Sequence, residues 1–524
     1  MRKINRPLLG SVALLALLLG GFASQDASQP ATRFYVVRHA ERFAEWPVQP
    51  GPGAEPHPLN RVGMRRAMEL RTVLRDVPIA AVYSTDNRRT WQTATPVAIA
   101  AGVEITPYGG PGSPDLAAWA VTMRDRHRGE SVLIVGHSNT VPTIVRTLSG
   151  VDGDFGVGAD HDNLFVVTIT GGAAETSTVE RRRYPVVEHL ADVELLGDIA
   201  GENDLSAVAM SADHSQLIIA SDEGSAVQVF VGAGDRYTAL ATIELSDDGE
   251  EIDIEGITPH GGGNVYYAVG SHSWRRRNIF RPQDTTSSYA DIKDRFELDS
   301  PDREAGREHL IRFEVDPATG QLAAPVDDDD DLAGIFAEDQ VLKTFSGIPS
   351  KENGIDIEGI ASDGEHLYLG FRGPVLRHGL VPVVVLSPGT DAALELRYVM
   401  LDGHGIRDIT AVEGGFLIVA GPVGDGVPEQ WLYFWDGNDC LPGVRGSNDP
   451  PRGEVVYLGS IPSPAASAGA KAEAIVVLED PAAPGAPDGG FYEFYIVYDS
   501  APRGRLTRFR APHPDRLRGS ISPG

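Results

Sequence analysis

The chain has 524 residues, too many for one ordinary hydrophobic core, so two or more domains are expected. Hydrophobic residues make up 42% and charged residues 23%, the balance of a folded soluble protein rather than a disordered one. The formal net charge of −29 excludes nucleic acid and anionic membrane surfaces as bulk partners, and it requires any anionic substrate to be held by a local basic pocket.

Arg2, Lys3 and Arg6 precede an apolar run from Leu8 to Leu19, and Gly21-Phe22-Ala23 supplies small residues for cleavage before Ser24. Residues 1–23 are therefore read as a cleaved export signal, implying a periplasmic or secreted protein with no other membrane attachment; a retained anchor is the alternative. No Cys stands near the cleavage point, which argues against a bacterial lipoprotein. Cys440, in a polar loop, is the only cysteine, so stability must come from packing rather than disulfides. Residues 24–32 read as a polar linker.

From 33 to 183 strands and helices alternate. Phe34–Val37, Ile79–Tyr83, Val132–Val135 and Leu164–Ile169 are short apolar runs typical of buried strands. Leu59–Leu74 and Arg89–Ala101 have helical spacing, and a further helix starts near Thr140 with Pro142 in its first turn. This alternation predicts a three-layer α/β fold with a mostly parallel sheet.

After Val187 helical spacing nearly vanishes, and short β-rich runs alternate with Gly, Asp and Pro turns. One phrase recurs. Asp253-Ile254-Glu255-Gly256-Ile257, Asp356-Ile357-Glu358-Gly359-Ile360 and Gly405-Ile406-Arg407-Asp408-Ile409 each precede an apolar run. Asp204–Val208 and the weaker Ala472-Glu473-Ala474-Ile475 do the same. The anchors fall at 206, 255, 358, 407 and 473; two of the gaps are 49 residues, about one four-stranded repeat, and the 103-residue gap would hold two repeats or one with a long insertion. A β-propeller of five or six blades over 190–515 is expected, the uncertainty lying in the long gap between 255 and 358; a β-sandwich with accidental similarity is the alternative. Trp274–Arg307 reads as a charged loop excursion, and the acid run Asp327–Asp331 as a solvated turn without the alternating ligand spacing of a Ca²⁺ loop.

Three segments of the first domain carry chemistry: Val37-Arg38-His39-Ala40-Glu41, Ser84-Thr85-Asp86-Asn87-Arg88-Arg89-Thr90-Trp91-Gln92-Thr93-Ala94 and Gly136-His137-Ser138-Asn139-Thr140. Each leaves a strand or opens a helix, and in open α/β sheets ligands bind at the carboxyl ends of strands. The residue types suit phosphoryl transfer. Guanidinium forks bind phosphate oxygens bidentately, a neutral imidazole can attack phosphorus, and a second imidazole can steady the transferring charge. Two guanidiniums and an imidazole supply enough positive charge that no metal or other cofactor is called for. Asn139 and Thr140 read as caps of the following helix.

In this order the segments resemble the histidine phosphatase superfamily, which includes the cofactor-dependent phosphoglycerate mutases. Pro58-Leu59-Asn60-x-x-Gly63-x-x-x-Ala67 and Asp162-Asn163-Leu164 resemble it as well. The resemblance implies that His39 is the nucleophile, that Arg38, Arg89 and His137 form the phosphate pocket, and that Arg88 faces solvent or supports a loop. For the proton donor, Asp115 is the carboxylate nearest the position of the mutase-type acid, and Glu41 beside the nucleophile is the other candidate, with pairing to Arg42 or Arg33 equally open. Ser138 replaces the Asp of the acid phosphatase branch. The short stretch between Arg89 and His137 leaves little material for a cap, which implies an open pocket.

The second domain resembles a bacterial domain family of unknown function related to phytase-like or esterase-like propellers. If its repeated polar residues converge on an axis, Glu255, Glu358, Asp408 and Glu473 would meet near Arg372, Arg407 and His272, as a ligand site or as an ion-pair network that fixes blade register. The whole reads as an exported phosphomonoester hydrolase acting on a phosphorylated small molecule or phosphoprotein, with the propeller for recognition or a second activity. The alternative is a propeller binding or scaffold protein with a vestigial phosphatase domain.

Overall fold

The computed structural model describes residues 30–517 apart from 44–56, 110–114, 159, 172–174, 247–250, 277–284, 299, 304, 330–331, 389–393, 425–429, 448, 465–469, 484–489, 500 and 502–504. The expected export signal and most of the linker lie outside the described residues. Among the described residues no helix is long and apolar enough to cross a membrane.

The first domain runs β1 (Thr32–Arg38), α1 (Arg61–Val73), β2 (Ile79–Thr85), α2 (Arg88–Ala101), β3 (Ile105–Tyr108), α3 (Leu116–Arg126), β4 (Ser131–Gly136), α4 (Val141–Ser149), β5 (Asn163–Thr170) and β6 (Thr176–Arg183). Its sheet has the order β3-β2-β4-β1-β5-β6. The first four are mutually parallel, and β5 and β6 are antiparallel additions. The sheet is thus mixed, because β6, with the sequence Thr-Ser-Thr-Val-Glu-Arg-Arg-Arg, carries no apolar run to announce it.

Strand alternation sends side chains to two cores. Phe34, Val36, Val132 and Ile134 pack against α3 and α4, whereas Tyr35, Val37, Leu133 and Val135 pack against α1 and α2. The sheet is therefore covered on both faces. In the registers of the three central strands, Arg38 lies opposite Gly136, and Ser84 opposite Val135. The loops leaving β1, β2 and β4 consequently open side by side.

The remainder is β-rich: β7 (Glu188–Leu196), β8 (Leu205–Met210), β9 (Gln216–Ser221), β10 (Ala226–Ala233), β11 (Arg236–Glu244), β12 (Ile254–Pro259), β13 (Val265–Gly270), β14 (Trp274–Arg275), α5 (Tyr289–Leu298), β15 (Asp302–Arg303), β16 (Leu310–Glu314), β17 (Asp327–Asp329), α6 (Leu332–Glu338), β18 (Asp356–Ser362), β19 (Leu367–Gly373), β20 (Leu380–Leu386), β21 (Glu395–Met400), β22 (Gly405–Val412), β23 (Gly415–Gly421), β24 (Trp431–Trp435), β25 (Val455–Ser460), β26 (Lys471–Glu479), β27 (Phe491–Asp499), β28 (Leu506–Pro512) and α7 (Pro514–Leu517). Three four-stranded sheets follow chain order, β12-β13-β16-β17, β18-β19-β20-β21 and β22-β23-β24-β25. An eight-stranded sheet, β26-β27-β28-β7-β11-β10-β9-β8, joins the two ends of the region. In it β7, the first strand after the α/β domain, pairs antiparallel with the last strand β28 and in parallel with β11. The long stretch between anchors 255 and 358 holds one four-stranded sheet, with the β14–β15 ribbon, α5 and α6 as additions. Two expectations change here. The Trp274–Arg307 excursion contains a helix and a two-stranded ribbon, and Asp327–Asp329 form edge strand β17 on β16 rather than a turn.

The first strand of each four-stranded set, β8, β12, β18, β22 and β26, packs beside the next, and β26 returns to β8. All five share a register shift at the same place: between Leu205 and Ala207, Ile254 and Gly256, Ile357 and Gly359, Ile406 and Asp408, and Ala472 and Ala474. The five sequence anchors Ser206, Glu255, Glu358, Arg407 and Glu473 are the residues left over at these bulges. A bulge bends its strand and re-aims the extra side chain.

The two regions meet through α1. Glu69, buried, accepts hydrogen bonds from Tyr457 Oη at 2.9 Å and from the Ser460 hydroxyl, and Arg65 donates to the Ser460 carbonyl at 2.7 Å.

Candidate active site

His39 follows β1 directly and is buried. Its backbone N–H donates to Gly136 O at 2.9 Å, which ties the β1 and β4 exits together. The ring Nδ1 lies 2.8 Å from the Ala40 carbonyl oxygen. A carbonyl can only accept, so Nδ1 carries the proton and Nε2 keeps its lone pair. Burial lowers the pKa of this imidazole to about 3, assisted by the positive charge of Arg89 and the neighbouring His161 and His137. At neutral pH His39 is therefore an uncharged ring, as nucleophilic attack requires.

His137, on the loop after β4, meets His39 edge-on with ring centroids 5.3 Å apart. Arg89 Nη2 approaches His137 Nδ1 at 3.3 Å. His137 Nε2 lies 2.8 Å from Thr85 Oγ1 at the end of β2 and 3.1 Å from Asn87 Nδ2. Arg38 donates to the carbonyls of Gly158 at 2.9 Å and Asp160 at 3.4 Å, so the loop before β5 forms a wall of the same pocket. Arg89 is buried in the first turn of α2, whereas Arg88 is exposed. Arg38, His39, Arg89 and His137, separate in sequence, share one neighbourhood at the strand ends, and the charges of Arg38 and Arg89 oppose each other there.

The residues between them are scaffolding with identifiable contacts. Thr93 Oγ1 accepts from Ala40 N at 3.0 Å, Gln92 Oε1 accepts from Leu59 N at 2.9 Å, and Thr90 Oγ1 donates to Asn87 O at 2.8 Å. Asn60 caps α1 through Gly63 N at 2.8 Å. A Cβ on Gly63 would overlap the Glu41 carbonyl, so this position admits only glycine, and Ala67 fills the space beside Ala40 and Leu59. Thr140 does not cap α4 with its side chain; its Oγ1 accepts from His137 N at 2.8 Å and holds that backbone in place.

The two acid candidates are both engaged elsewhere. Glu41 is gripped by Arg66, whose Nε lies 2.8 and 2.9 Å from its two oxygens; its partner is neither Arg42 nor Arg33. That pairing outweighs burial and holds the carboxyl below its ordinary pKa, which makes it a poor proton donor. Asp115 is exposed, and its Oδ2 caps α3 through Ala117 N at 3.1 Å and Ala118 N at 3.4 Å. Sequence reasoning missed His161. Its Nδ1 lies 2.7 Å from the His39 carbonyl and its ring centroid 5.3 Å from that of His39. The only signal for it was its place directly before Asp162-Asn163.

Similarity to known proteins bears on both regions. The model of a protein family of unknown function, DUF3616, matches residues 204–511, more than half of the chain. The chain belongs to the DUF3616 family. Ahead of the DUF3616 region, residues 34–109 match the histidine phosphatase superfamily (branch 1), so the amino-terminal domain is of the histidine phosphatase type. Among solved structures, the chain is similar to YhfR of Bacillus stearothermophilus at 22% identity over 28% of this chain and 95% of that one, with a TM-score of 0.22. It is similar to the protein histidine phosphatase SixA complexed with tungstate at 17% identity, covering 29% and 96%, with a TM-score of 0.24. It is also similar to a phosphoglycerate mutase from Bacillus anthracis at 16%, covering 29% and 92%, with a TM-score of 0.23. No curated protein matches the chain.

The DUF3616 region has its own cavity of about 480 Å³, lined by all five bulge residues together with Asp222, Asp253, Asp356 and Arg372. Arg407 pairs with Glu358 at 2.8 Å and with Glu473, and Arg372 pairs with Asp356 and Glu358. Burial pushes Glu358 up to about 8 against the pull of the two arginines. Two expected members stand apart. Asp408 accepts from Ile409 N at 2.8 Å and Ile475 N at 2.7 Å, and His272 stacks edge-on with Phe336 at 5.7 Å. Among the described residues no group of three or more His, Cys, Asp or Glu is arranged to hold a metal ion.

Proposed function

We propose that this protein is an exported phosphomonoester hydrolase that works through a phosphohistidine on His39. The observation that carries the reading is the state of His39: Nδ1–H is tied to the Ala40 carbonyl and Nε2 is bare, in a ring kept neutral by burial. Arg38 and Arg89 are the residues that would receive the phosphoryl oxygens, and His137 would donate to a third. In the first step His39 Nε2 attacks phosphorus and the leaving oxygen departs in line. In the second, water attacks the phosphohistidine and phosphate is released.

The five first strands packed in a ring, each beginning at a bulge, support a five-bladed propeller for the DUF3616 region, closed where β7 completes the last blade. We read this propeller as a recognition module or a second catalytic unit, and residues 1–23 as the signal that sends the chain to the periplasm or beyond. The substrate class is a phosphorylated small molecule or phosphoprotein.

The test is a phosphatase assay of the intact chain on aryl, alkyl, acyl and histidine phosphates, with His39→Ala alongside. The reading predicts loss of turnover in His39→Ala and an acid-labile phosphoenzyme in the parent. Hydrolysis that persists in His39→Ala would move the chemistry elsewhere, and a parent that binds phosphate but turns nothing over would favour a vestigial domain.

A further inference from the structure

His39 and His161 are hung on consecutive carbonyls. His161 Nδ1 donates to the carbonyl of His39, and His39 Nδ1 donates to that of Ala40. In both rings the proton is committed to backbone and Nε2 is left as the free nitrogen, with no hydrogen bond from a described residue. The two rings are neighbours, their centroids 5.3 Å apart and their planes tilted by 47°. The backbone of His161 is itself fixed, because Tyr184 Oη donates to its carbonyl at 2.9 Å.

Among the described residues, the two other candidate acids are both engaged elsewhere. Glu41 is locked in a bidentate pair with Arg66, and the Asp115 carboxylate is spent on the α3 cap. A leaving alkoxide still requires a proton. We propose that His161 Nε2 is the proton-transfer group of this site, a role that rests on the phosphohistidine reading above.

The steps balance. A phosphomonoester with its second pKa near about 6 reaches the site partly as a monoanion. Its proton passes to His161 Nε2, where the bound dianion and Glu41 favour the imidazolium. As the His39 Nε2–P bond forms, the P–O bond to the leaving group breaks with its electron pair on oxygen. That oxygen takes the proton from His161 and departs as a neutral alcohol. Water then attacks phosphorus and gives a proton to His161 Nε2. The P–N electron pair returns to His39, the phosphate takes back the proton held by His161, and it leaves as the monoanion.

The groups that set the proton affinity of His161 come from several elements. Burial lowers its pKa, the bond to the His39 carbonyl and the charge of Glu41 raise it, and Arg38 on β1 and Arg66 on α1 oppose its charge. Asp160 and Asp162, which flank it in the chain, are both paired with Arg183 of β6.

The experiment compares His161→Asn with the parent on p-nitrophenyl phosphate, whose leaving group needs little help, and on a simple alkyl phosphate, whose leaving group needs a proton. Asn can still donate to the His39 carbonyl but cannot act as an acid. The expected loss on the alkyl phosphate is about 100-fold or more, the usual size of a general-acid contribution. It should exceed the loss on p-nitrophenyl phosphate by at least about tenfold, and the alkaline limb of the alkyl pH profile, where the acid loses its proton, should vanish. Equal losses on both substrates would mean that His161 only positions His39, and would overturn the proposal. The parent alone gives a second measurement that needs no variant: across phosphates of graded leaving-group pKa its rate should vary little, and a steep dependence would equally refute it. His39→Ala separates the two claims. Activity surviving in that variant ends the phosphohistidine reading, whereas activity lost there with no leaving-group effect at His161 ends only this one.

Discussion

Gly136 sits where β4 ends and the loop carrying His137 begins, and a single added methyl there tests whether the phosphate pocket depends on close packing. A Cβ at this position would lie 2.6 Å from Thr140 Oγ1 and 2.8 Å from Tyr108 Oη. Ordinary contact begins at 3.4 Å, so something must retreat by 0.6–0.8 Å, the differences between 3.4 and these two values. Tyr108 is hemmed in: its ring stacks on Trp119 at 4.3 Å, and its hydroxyl donates to Val135 O at 3.1 Å. Thr140 could turn away, but its Oγ1 would then release the His137 backbone N–H. Either way the His137 loop moves. Overpacking of this kind costs about 1–3 kcal/mol of stability. A displacement approaching 1 Å in a positioned catalytic group costs about 10²-fold in rate, equivalent to about 2.7 kcal/mol of barrier. Gly136→Ala should therefore retain its fold, shown by an unchanged circular dichroism spectrum and a modestly lowered Tm, yet lose about two orders of magnitude in kcat on p-nitrophenyl phosphate. A variant that folds and works within about threefold of the parent would refute the claim that Thr140 holds His137 in register.

Three further outcomes are expected. Arg407→Met removes the partner of buried Glu473 and leaves Glu358 with Arg372 alone, and should cost about 3–5 kcal/mol in urea denaturation, whereas adding Glu473→Gln should recover much of it; no recovery would show that the guanidinium acts by packing alone. Burial, with Asp253, Asp499, Asp204 and Glu473 nearby, raises Asp222 to about 7. The folded state therefore holds that proton more tightly, and the stability it contributes is present below the ordinary carboxyl pKa and fades as pH rises through about 7. Asp222→Asn should thus narrow the difference in Tm between pH 5 and pH 8. His39 has the opposite sign: its lowered pKa means that the folded state binds fewer protons, so stability is lost as pH falls from 6.5 towards about 3. His39→Gln should resist acid better than the parent across that window, as read by Tm against pH.

The first domain was legible because its chemistry sits in contiguous words at element boundaries. Each letter of Arg89-Thr90-x-Gln92-Thr93 has a local task, from the buried guanidinium to the hydroxyl that receives Ala40 N–H. His161 was not legible in this way. It reaches His39 through a single backbone hydrogen bond across 122 residues, and a lone histidine between two aspartates looks like surface. Likewise Glu41 could be flagged as adjacent to the nucleophile, but its partner Arg66 lies 25 residues along, on the inner face of α1, where only packing decides. Strand β6 escaped notice because an edge strand exposed on one face needs no apolar run.

The second region teaches a different limit of sequence reading. Its repeat was visible as five similar phrases, and the structure gives them a common cause: each anchor is the extra residue of a bulge aimed into one cavity. Backbone geometry can repeat five times, but charge cannot. Three anchors are carboxylates in a cavity that Asp222, Asp253 and Asp356 also line, so acids at all five would add repulsion and remove the guanidinium that offsets it. The chain breaks the symmetry instead, with Ser at 206, Glu at 255 and 358, Arg at 407 and Glu at 473. Arg407 lies between Glu358 and Glu473 and bonds to both, while Arg372, from the adjoining strand β19, takes the rest of Glu358 together with Asp356. The departures from the repeat are thus as informative as the repeat itself. They mark where electrostatics rather than backbone sets the residue, and they explain why Arg407 should be the costliest of the five anchors to replace.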